Sequence, residues 1–433
     1  MLKRSAIAVS LAIVIGAPGC DQGPADDIAA ETDATVTVRD SAGIEIVANH
    51  APEHTAGEFW TIDPEPEFVL GGSENPSGLA NDSSQLVWGV VGLARLPDGR
   101  VAILSSENKR LMLFEPSGEL SRIVGGPGEG PGEFTRPEQL QYLPPDTLVV
   151  WDYFLTAIDY FDSSGNLLRE RSVDYSKLRE HDAWGESRRI PLPDGSFLVG
   201  VMDKVPDDSP DDCTHLTITR ESFRGGESKL HAEELLKIDD SYSARSFGCA
   251  SSFFSLMAAG GDPPYFYIHN AGNEVQQRAL DGTLVRIIRR TTETPPVTDK
   301  ARLAERDHWM RYGAGMAELV VRVDETRDVE APVWRREKYD AVESILVDTE
   351  GYLWTREWSA SESGIPDQWS VFSPTGRWLG VLAFPPEPIG SDLRICTRRT
   401  TACWIGRDYF LVVRRDEMGV ERVEGYRIRR DRR

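Results

Sequence analysis

Apolar and polar positions alternate over short stretches along most of the chain, and turns interrupt the alternation. The clearest example is LPDGRVAILSSENKRLMLFEPSGEL (96–120), in which the apolar runs are bounded by turns at Asp98-Gly99 and Ser117-Gly118. Short runs rich in β-branched and aromatic residues between such turns are typical of antiparallel strands. This stretch therefore predicts strands joined by tight turns.

Two signatures recur along the sequence. A turn that leads into a strand recurs at 96–104, 143–151, 192–200, 261–269, 348–356 and 406–414. A strand that ends in a glycine turn and continues recurs at 111–124, 157–170, 275–288 and 369–382, with a degenerate copy at 215–230. Units of this kind bury their faces only against their neighbours, so the ring must close. The fold class predicted is all-β, a six-bladed β-propeller.

The two ends of the repeat array are incomplete in a complementary way. The last unit ends almost at the C-terminus and is short of an outer strand, whereas 59–70 carries strands that belong to no unit. We expect 59–70 to complete the final blade and to close the ring. The hairpin predicted at 35–48 is a further candidate for the same blade.

One segment departs from the β pattern. In 298–325, apolar residues such as Leu303, Met310 and Val321 recur at helical spacing, and Pro295-Pro296 precede them. The pattern predicts one helical insertion between blades four and five. It is either a packing insertion or a lid or partner-binding helix.

The N-terminus has the pattern of an export signal. In 1–20, Lys3 and Arg4 precede an apolar run of a length that does not span a bilayer, and small residues lead to Cys20. This end resembles the lipobox of bacterial lipoproteins, which implies Cys20 as the lipidation site; ordinary secretion is the alternative. Residues 21–35 predict a flexible acidic tether. Residues 36–433 then form a single propeller domain.

Three stretches together resemble a known family. They are VRDSAGIEIVANHAP (38–52), VGGPGEGPGEF (124–134) and VFSPTGRWLGVLAFP (371–385). They resemble bacterial six-bladed β-propeller proteins related to NHL repeats, which are often predicted lipoproteins. The resemblance extends from about Val38 to Ile428 and implies the same fold. Because such propellers serve mainly as binding platforms, it implies a binding role rather than a particular chemistry.

The net charge limits the classes of partner, and the number of cysteines indicates the cellular location. The formal net charge of −22 repels phosphate backbones, so nucleic acid is excluded as a partner. An even number of cysteines besides Cys20 suits disulfides in an exported chain. We expect Cys396 to pair with Cys403 across a turn and Cys213 to pair with Cys249 by elimination; four buried free thiols are the alternative.

The motifs that suggest ligand chemistry have plain structural alternatives. Gly125–Gly132 resembles a phosphate loop, but prolines and glutamates favour an inter-blade turn. Asp207–Asp212 offers oxygens for calcium but lacks the spacing of an EF-hand, which favours an exposed loop tip. The histidines are scattered without zinc spacing, and no GxSxG is present. We therefore assign no catalytic residue, no metal ligand and no cofactor.

Tryptophans offer one further candidate surface. Trp151, Trp354, Trp358, Trp369 and Trp378 could form a carbohydrate or peptide platform on one rim. Side chains alternate between the two faces of a strand, so packing between blades is the other interpretation.

The leading functional hypothesis is a non-catalytic propeller, lipid-anchored in the bacterial envelope and facing the periplasm or the surface. It binds a protein, peptide or glycan. We expect a monomer that contacts the membrane only through its lipid. The alternatives are a metal-dependent hydrolase or lactonase-like enzyme, with its site at the mouth of the central channel, and a structural subunit of an envelope complex.

Overall fold

The computed structural model describes fourteen ranges of the chain, and in these every regular element is a strand. The ranges are 31–32, 34–55, 58–71, 86–153, 155–172, 186–202, 215–223, 230–239, 257–269, 273–292, 342–357, 368–383, 403–415 and 420–430. Within them no helix has the length and hydropathy needed to cross a membrane.

Five strands precede the first blade: β1 (Glu31–Thr32), β2 (Val36–Ser41), β3 (Ile44–Asn49), β4 (Thr61–Ile62) and β5 (Phe68–Gly71). Blade one contains β6 (Val90–Arg95), β7 (Val101–Ser105), β8 (Arg110–Phe114) and β9 (Leu120–Val124). Blade two contains β10 (Pro137–Leu143), β11 (Thr147–Asp152), β12 (Ala157–Asp162) and β13 (Leu167–Ser172). Blade three contains β14 (Glu186–Pro191), β15 (Phe197–Met202), β16 (His215–Phe223) and β17 (Leu230–Asp239).

The second half of the ring repeats this plan. Blade four contains β18 (Met257–Gly260), β19 (Tyr265–His269), β20 (Glu274–Arg278) and β21 (Leu284–Arg290). Blade five contains β22 (Val342–Val347), β23 (Leu353–Glu357), β24 (Gln368–Phe372) and β25 (Trp378–Ala383). Blade six contains β26 (Cys403–Ile405), β27 (Tyr409–Arg415) and β28 (Glu421–Arg429), and β4 and β5 pair with its last strand. The predicted six-bladed, all-β propeller is confirmed.

The tight turns of the repeat depend on glycine. Gly99 and Gly118 have φ of +92° and +88°, a region that side chains with a Cβ disfavour. The N–H group of Gly99 donates to the carbonyl of Leu96 at 3.0 Å, and that of Gly118 donates to Glu115 at 2.9 Å. Both predicted turns are therefore present.

Apolar side chains from alternate strand positions fill the junctions between blades. In β7, Ile103 packs in the junction with blade six, whereas Leu104 packs in the junction with blade two. The partners of Leu104 include Leu148 and Val150 of β11. Each blade thus buries both of its faces, as ring closure requires.

The ring closes through the N-terminal strands, as predicted for 59–70. Leu70 of β5 pairs with Val423 of β28, and Ile62 of β4 pairs with Ile428. The option that the preceding hairpin joins the same blade is wrong. Strands β2 and β3 extend blade four, because β3 runs parallel to β21 with Val47 opposite Ile288.

Asn49, at the end of β3, holds the β2–β3 hairpin in place through hydrogen bonds of its side chain. Its side-chain nitrogen donates to the carbonyls of Arg289 and Gly376, and its oxygen accepts from the N–H group of Trp378 at 2.8 Å. Blades four and five thereby fix one end of β3. The N-terminal segment consequently follows the outer edges of blades four, five and six before the first blade begins.

Apart from the added β3, which is parallel to β21, neighbouring strands of a blade are antiparallel, so successive turns alternate between the two ends of the blade. We call the face that carries the first-to-second and third-to-fourth strand turns the turn face. The opposite face, the connection face, carries the second-to-third strand turns and the links between blades. The glycine-rich segment 125–132 is one such link, and Pro127 and Phe134 form a β-bridge. Its interpretation as an inter-blade turn is confirmed.

Several predictions concern residues outside the described ranges. They are the signal (1–20), residues 21–30 of the predicted tether, Cys20, the acidic loop at 207–212, the insertion at 298–325, Trp358, and the cysteines 213, 249 and 396. These remain predictions. The tether is predicted to extend over 21–35, but residues 31–32 form β1, which pairs with β2.

Candidate functional site

The tryptophans proposed as a surface platform are packing residues instead. Trp151, Trp354, Trp369 and Trp378 are all buried, and each belongs to an apolar cluster between blades. Arg189 stacks 4.2 Å above the ring of Trp151, inside the junction between blades two and three. The packing interpretation is therefore confirmed for these four.

On the connection face, a polar residue ends the second strand of each of the first two blades. The buried carboxylate of Asp152 accepts hydrogen bonds from the N–H groups of Thr135, Arg136 and Leu155, at 2.8–2.9 Å. Ser105 occupies the same position in blade one and bonds the equivalent backbone segments. These side chains hold the incoming link and the following turn, so their role is architectural.

A cleft of about 290 Å³ opens on the turn face between blades four and five. Blade four contributes Gly261, Asp262, Pro263, Tyr265, Tyr267 and Gln277. Blade five contributes Thr349, Glu350, Gly351 and Pro374. Two turns between first and second strands form the rim, and one pair of neighbouring strands in blade four forms the floor.

Two buried polar side chains form the floor of the cleft. Tyr267 and Gln277 lie opposite each other on β19 and β20, and they are 2% and 1% exposed. Burial raises the pKa of Tyr267 to about 12, so its phenol stays neutral at physiological pH. Among the described residues its hydroxyl has no hydrogen-bond partner, and the residue lines the open cleft rather than a sealed interior.

Arg286 fixes the orientation of the Gln277 amide. Its Nη1 donates to Oε1 of Gln277 at 2.5 Å and to the carbonyl of Pro374 at 3.0 Å, and its Nε pairs with Glu45. The amide oxygen is thus occupied, and the amide nitrogen is the polar group of Gln277 that is left for the cleft. In the described part of the chain this nitrogen has no acceptor.

The two rim turns approach each other closely because both carry glycine. Gly261 and Gly351 have φ of +93° and +83°. A Cβ on Gly351 would lie 3.1 Å from the Cα of Gly261, which is tighter than ordinary contact. A larger residue at Gly351 would press against the opposite turn and alter the rim.

The charges at the rim are negative. Asp262 and Glu350 are exposed and line the cleft, and no Lys or Arg is among its lining residues. No ion pair joins either carboxylate to a described cation. The cleft therefore offers acceptors at its rim and a donor at its floor.

A buried network holds the blade-five rim in place. The Asp348 carboxylate accepts from the N–H groups of Glu350 and Tyr352 at 2.9 Å and from Nε1 of Trp354 at 2.8 Å. Arg430 donates to the same carboxylate at 2.7 Å and stacks 4.3 Å above Trp60. Burial raises the pKa of Asp348, while Arg430 opposes that rise. The rim turn is consequently anchored to blade six and the N-terminal segment.

The sequence pattern does not predict this cleft. GDPPYFYIH (261–269) and VQQRALDG (275–282) match the signatures of the repeat, which predict only strands and turns. A usable signal was present, since Gln277 stands where the first unit has Leu113, and Tyr267 stands where it has Ala102. Polar residues at inward positions of a repeat indicate a departure from pure packing.

Within the described ranges, no three His, Cys, Asp or Glu side chains are arranged to hold a metal ion. The carboxylates of the cleft rim do not form such a group. The loop proposed for calcium lies outside these ranges.

A family model described as a 6-bladed beta-propeller, DUF5128, matches residues 83–191. The matched range contains all of blades one and two. No curated protein sequence matches this chain.

Several solved structures are similar to this chain at low identity. A member of the DUF4221 family from Bacteroides vulgatus ATCC 8482 is 10% identical with a TM-score of 0.50, over 86% of this chain and 99% of that one. A protein of Bacteroides fragilis NCTC 9343, described as exported, is 13% identical with a TM-score of 0.47, over 89% and 99%. A gluconolactonase from Xanthomonas campestris is 12% identical with a TM-score of 0.37, over 84% and 99%. The family model, the DUF4221 structure and the six sheets agree that this chain has the fold of a six-bladed β-propeller.

Proposed function

We propose that this protein is a non-catalytic binding platform whose ligand, a protein, peptide or glycan, occupies the cleft between blades four and five. The observation that carries the proposal is the pair Tyr267 and Gln277 at the floor of an open cleft, because the hydroxyl of Tyr267 and the amide nitrogen of Gln277 bond no other described residue. A ligand that bonds both groups replaces their contacts with solvent by specific hydrogen bonds, each of which contributes about 0.5–1.5 kcal/mol.

We place the platform in the bacterial envelope, as an NHL-like lipoprotein anchored through Cys20. An even number of cysteines besides Cys20 suits an exported location, because disulfides persist in oxidising compartments. The pairings of Cys396 with Cys403 and of Cys213 with Cys249 belong to the same proposal. The acidic tether then separates the propeller from the membrane.

We favour binding over the alternative of a metal-dependent enzyme at the channel mouth. That alternative needs carboxylates free to hold a metal. Asp152 instead binds backbone N–H groups, and the Glu421 carboxylate accepts from the N–H group of Val90 at 2.7 Å. Both carboxylates are engaged in fixing the links between blades.

Filling the cleft tests this proposal. Thr349 is an exposed rim residue, so Thr349→Trp places a large side chain across the opening without entering a blade core. The matched control is Pro97→Trp, at the equivalent exposed position of the blade-one turn. Labelled full-length protein is applied to an array that displays glycans and peptides.

We expect the wild type and Pro97→Trp to bind the same array members, and Thr349→Trp to bind them at least about tenfold more weakly. Equal binding by Thr349→Trp would place the ligand elsewhere and overturn the proposal. Turnover of a bound member by the wild type would overturn its non-catalytic part.

A further inference from the structure

We infer that the cleft between blades four and five is a sugar-binding subsite that takes a neutral, hydroxylated ring. This inference rests on the proposed function and selects one ligand class within it. It follows from which hydrogen-bonding groups the cleft leaves unpaired, and where they lie.

The floor requires a ligand that can accept a hydrogen bond. Arg286 occupies Oε1 of Gln277, so the group that Gln277 presents is the N–H donor of its amide. The neutral phenol of Tyr267, directly opposite, can donate or accept. A ligand group at the floor therefore pairs fully only if it contains an acceptor.

The rim requires a ligand that can donate. Asp262 and Glu350 present carboxylates, which accept and cannot donate when ionised. They also repel anions, and Arg286, the cation that bonds Gln277, is already paired with Glu45. A phosphate or carboxylate ligand is thus disfavoured at the rim.

A hydroxyl group meets both requirements, because it donates and accepts. An ammonium or guanidinium group would suit the rim but would place its own donors against the amide N–H of Gln277. The half-buried ring of Tyr265 adds an apolar surface for the C–H face of a sugar. The cleft volume is at the small end for ligand pockets, which suits a terminal sugar unit of a larger glycan.

One substitution distinguishes a sugar ligand from a cationic ligand, because it should affect their binding in opposite directions. Gln277→Glu keeps the oxygen that accepts from Arg286 and replaces the donor nitrogen with an acceptor oxygen of similar size. A sugar loses its floor donor, whereas a cationic ligand gains a carboxylate. Gln276→Glu is the matched control, since Gln276 is adjacent on β20, faces away from the cleft, and accepts from Arg278 at 2.8 Å and 3.2 Å.

The probes are an array of neutral, acidic and amino sugars together with lysine- and arginine-containing peptides. Full-length protein is used, and thermal melts check that each variant folds. We expect the wild type and Gln276→Glu to bind neutral glycans equally, and Gln277→Glu to bind them at least about tenfold more weakly.

The other outcomes overturn the inference in distinguishable ways. Binding of basic peptides that Gln277→Glu strengthens would overturn the sugar assignment and leave the proposed binding function standing. Glycan binding that neither Gln277→Glu nor Thr349→Trp weakens would overturn both, because the ligand would then lie outside the cleft. Binding to no sugar on the array would overturn the sugar assignment alone.

Discussion

The junction between blades four and five and the junction between blades one and two use the same two strand positions differently. Tyr267 and Gln277 form a directly opposed pair in the first, and Ala102 and Leu113 form the equivalent pair in the second. All four side chains are buried. The blade-one pair belongs to a continuous apolar cluster that includes Phe134, whereas the blade-four pair lines an open cleft.

The fold can be built with an apolar pair at these two strand positions, and it tolerates a polar pair at the same positions in blade four. The blade-one junction shows that an apolar pair at these positions can be completely buried. The polar pair in blade four instead lines an open cleft, where its phenol hydroxyl and amide nitrogen bond no other described residue. We take these free polar groups as the mark of a surface kept for a ligand.

Placing the polar residue of one pair at the equivalent position of the other pair should have the largest effect on the free energy of unfolding. Leu113→Gln buries an amide without partners in the closed junction and removes apolar contacts, so we expect it to lower the free energy of unfolding by roughly 5 kcal/mol. Urea denaturation measures the change.

The reciprocal change, Gln277→Leu, removes the free amide nitrogen at the cleft together with the oxygen that accepts from Arg286, and Arg286 keeps its contacts with Glu45 and Pro374. We expect its free energy of unfolding to stay within about 1 kcal/mol of the wild type. Similar losses in Leu113→Gln and Gln277→Leu would contradict the comparison, because the two junctions would then be equally dependent on their pairs.

Asp159 of blade two is a buried acid whose contribution to stability should depend on pH; it lies opposite Val150, which belongs to the junction with blade one. Asp159 is 2% exposed, and among the described residues its Oδ1 has no hydrogen-bond partner. Burial, together with the charges of Glu170 and Asp152, raises its pKa to about 7. The folded state therefore holds this proton at pH values where the unfolded chain has lost it.

Because the folded state binds this proton more tightly than the unfolded chain does, raising the pH lowers the stability. The contribution of Asp159 to stability is fully present below pH 4 and is lost as pH rises towards 7, by at most about 4 kcal/mol. Asp159→Asn should remove this dependence and should be more stable than the wild type at pH 8. Urea denaturation from pH 4 to 8 compares the two proteins. Parallel stability profiles for both would show that Asp159 ionises normally in the folded state.

Much of the fold could be predicted because its signals are local. Glycine turns such as Gly99 and Gly118 recur at fixed offsets, and the last unit lacks an outer strand that 59–70 can supply. The position of the β2–β3 hairpin could not be predicted, since it depends on Asn49 reaching the backbones of blades four and five. Such a contact joins residues far apart in sequence and leaves no periodic pattern.

The cleft could not be predicted for a related reason. Tyr267 and Gln277 become neighbours only through the register of β19 and β20, and Arg286 decides which end of the amide is free. Sequence alone shows polar residues at inward positions without showing an opening beside them. The tryptophans, by contrast, were candidates because of their type, and their strand positions bury them.

Alanine substitution where the two rim turns meet should have a smaller effect on the free energy of unfolding. Gly351 and Gly195 occupy equivalent turns with φ of +83° and +80°, so alanine at either position adopts a strained backbone, at about 1 kcal/mol. At Gly195 nothing lies within 4 Å of the added Cβ, whereas at Gly351 the Cα of Gly261 lies 3.1 Å away. We expect Gly351→Ala to lower the free energy of unfolding by about 2 kcal/mol and Gly195→Ala by about 1 kcal/mol.

Both alanine variants strain the backbone of their turn, but only Gly351→Ala adds a contact across the cleft. The difference between the two variants therefore measures the effect of that contact. Because the opposing turn must move to accept the new methyl group, Gly351→Ala should also weaken array binding, and Gly195→Ala should leave binding unchanged. Urea denaturation and the array measure the two effects separately. If both variants lost the same stability and bound equally well, the close approach of Gly261 and Gly351 would have no part in shaping the cleft, and the rim would be set by the Asp348 network alone.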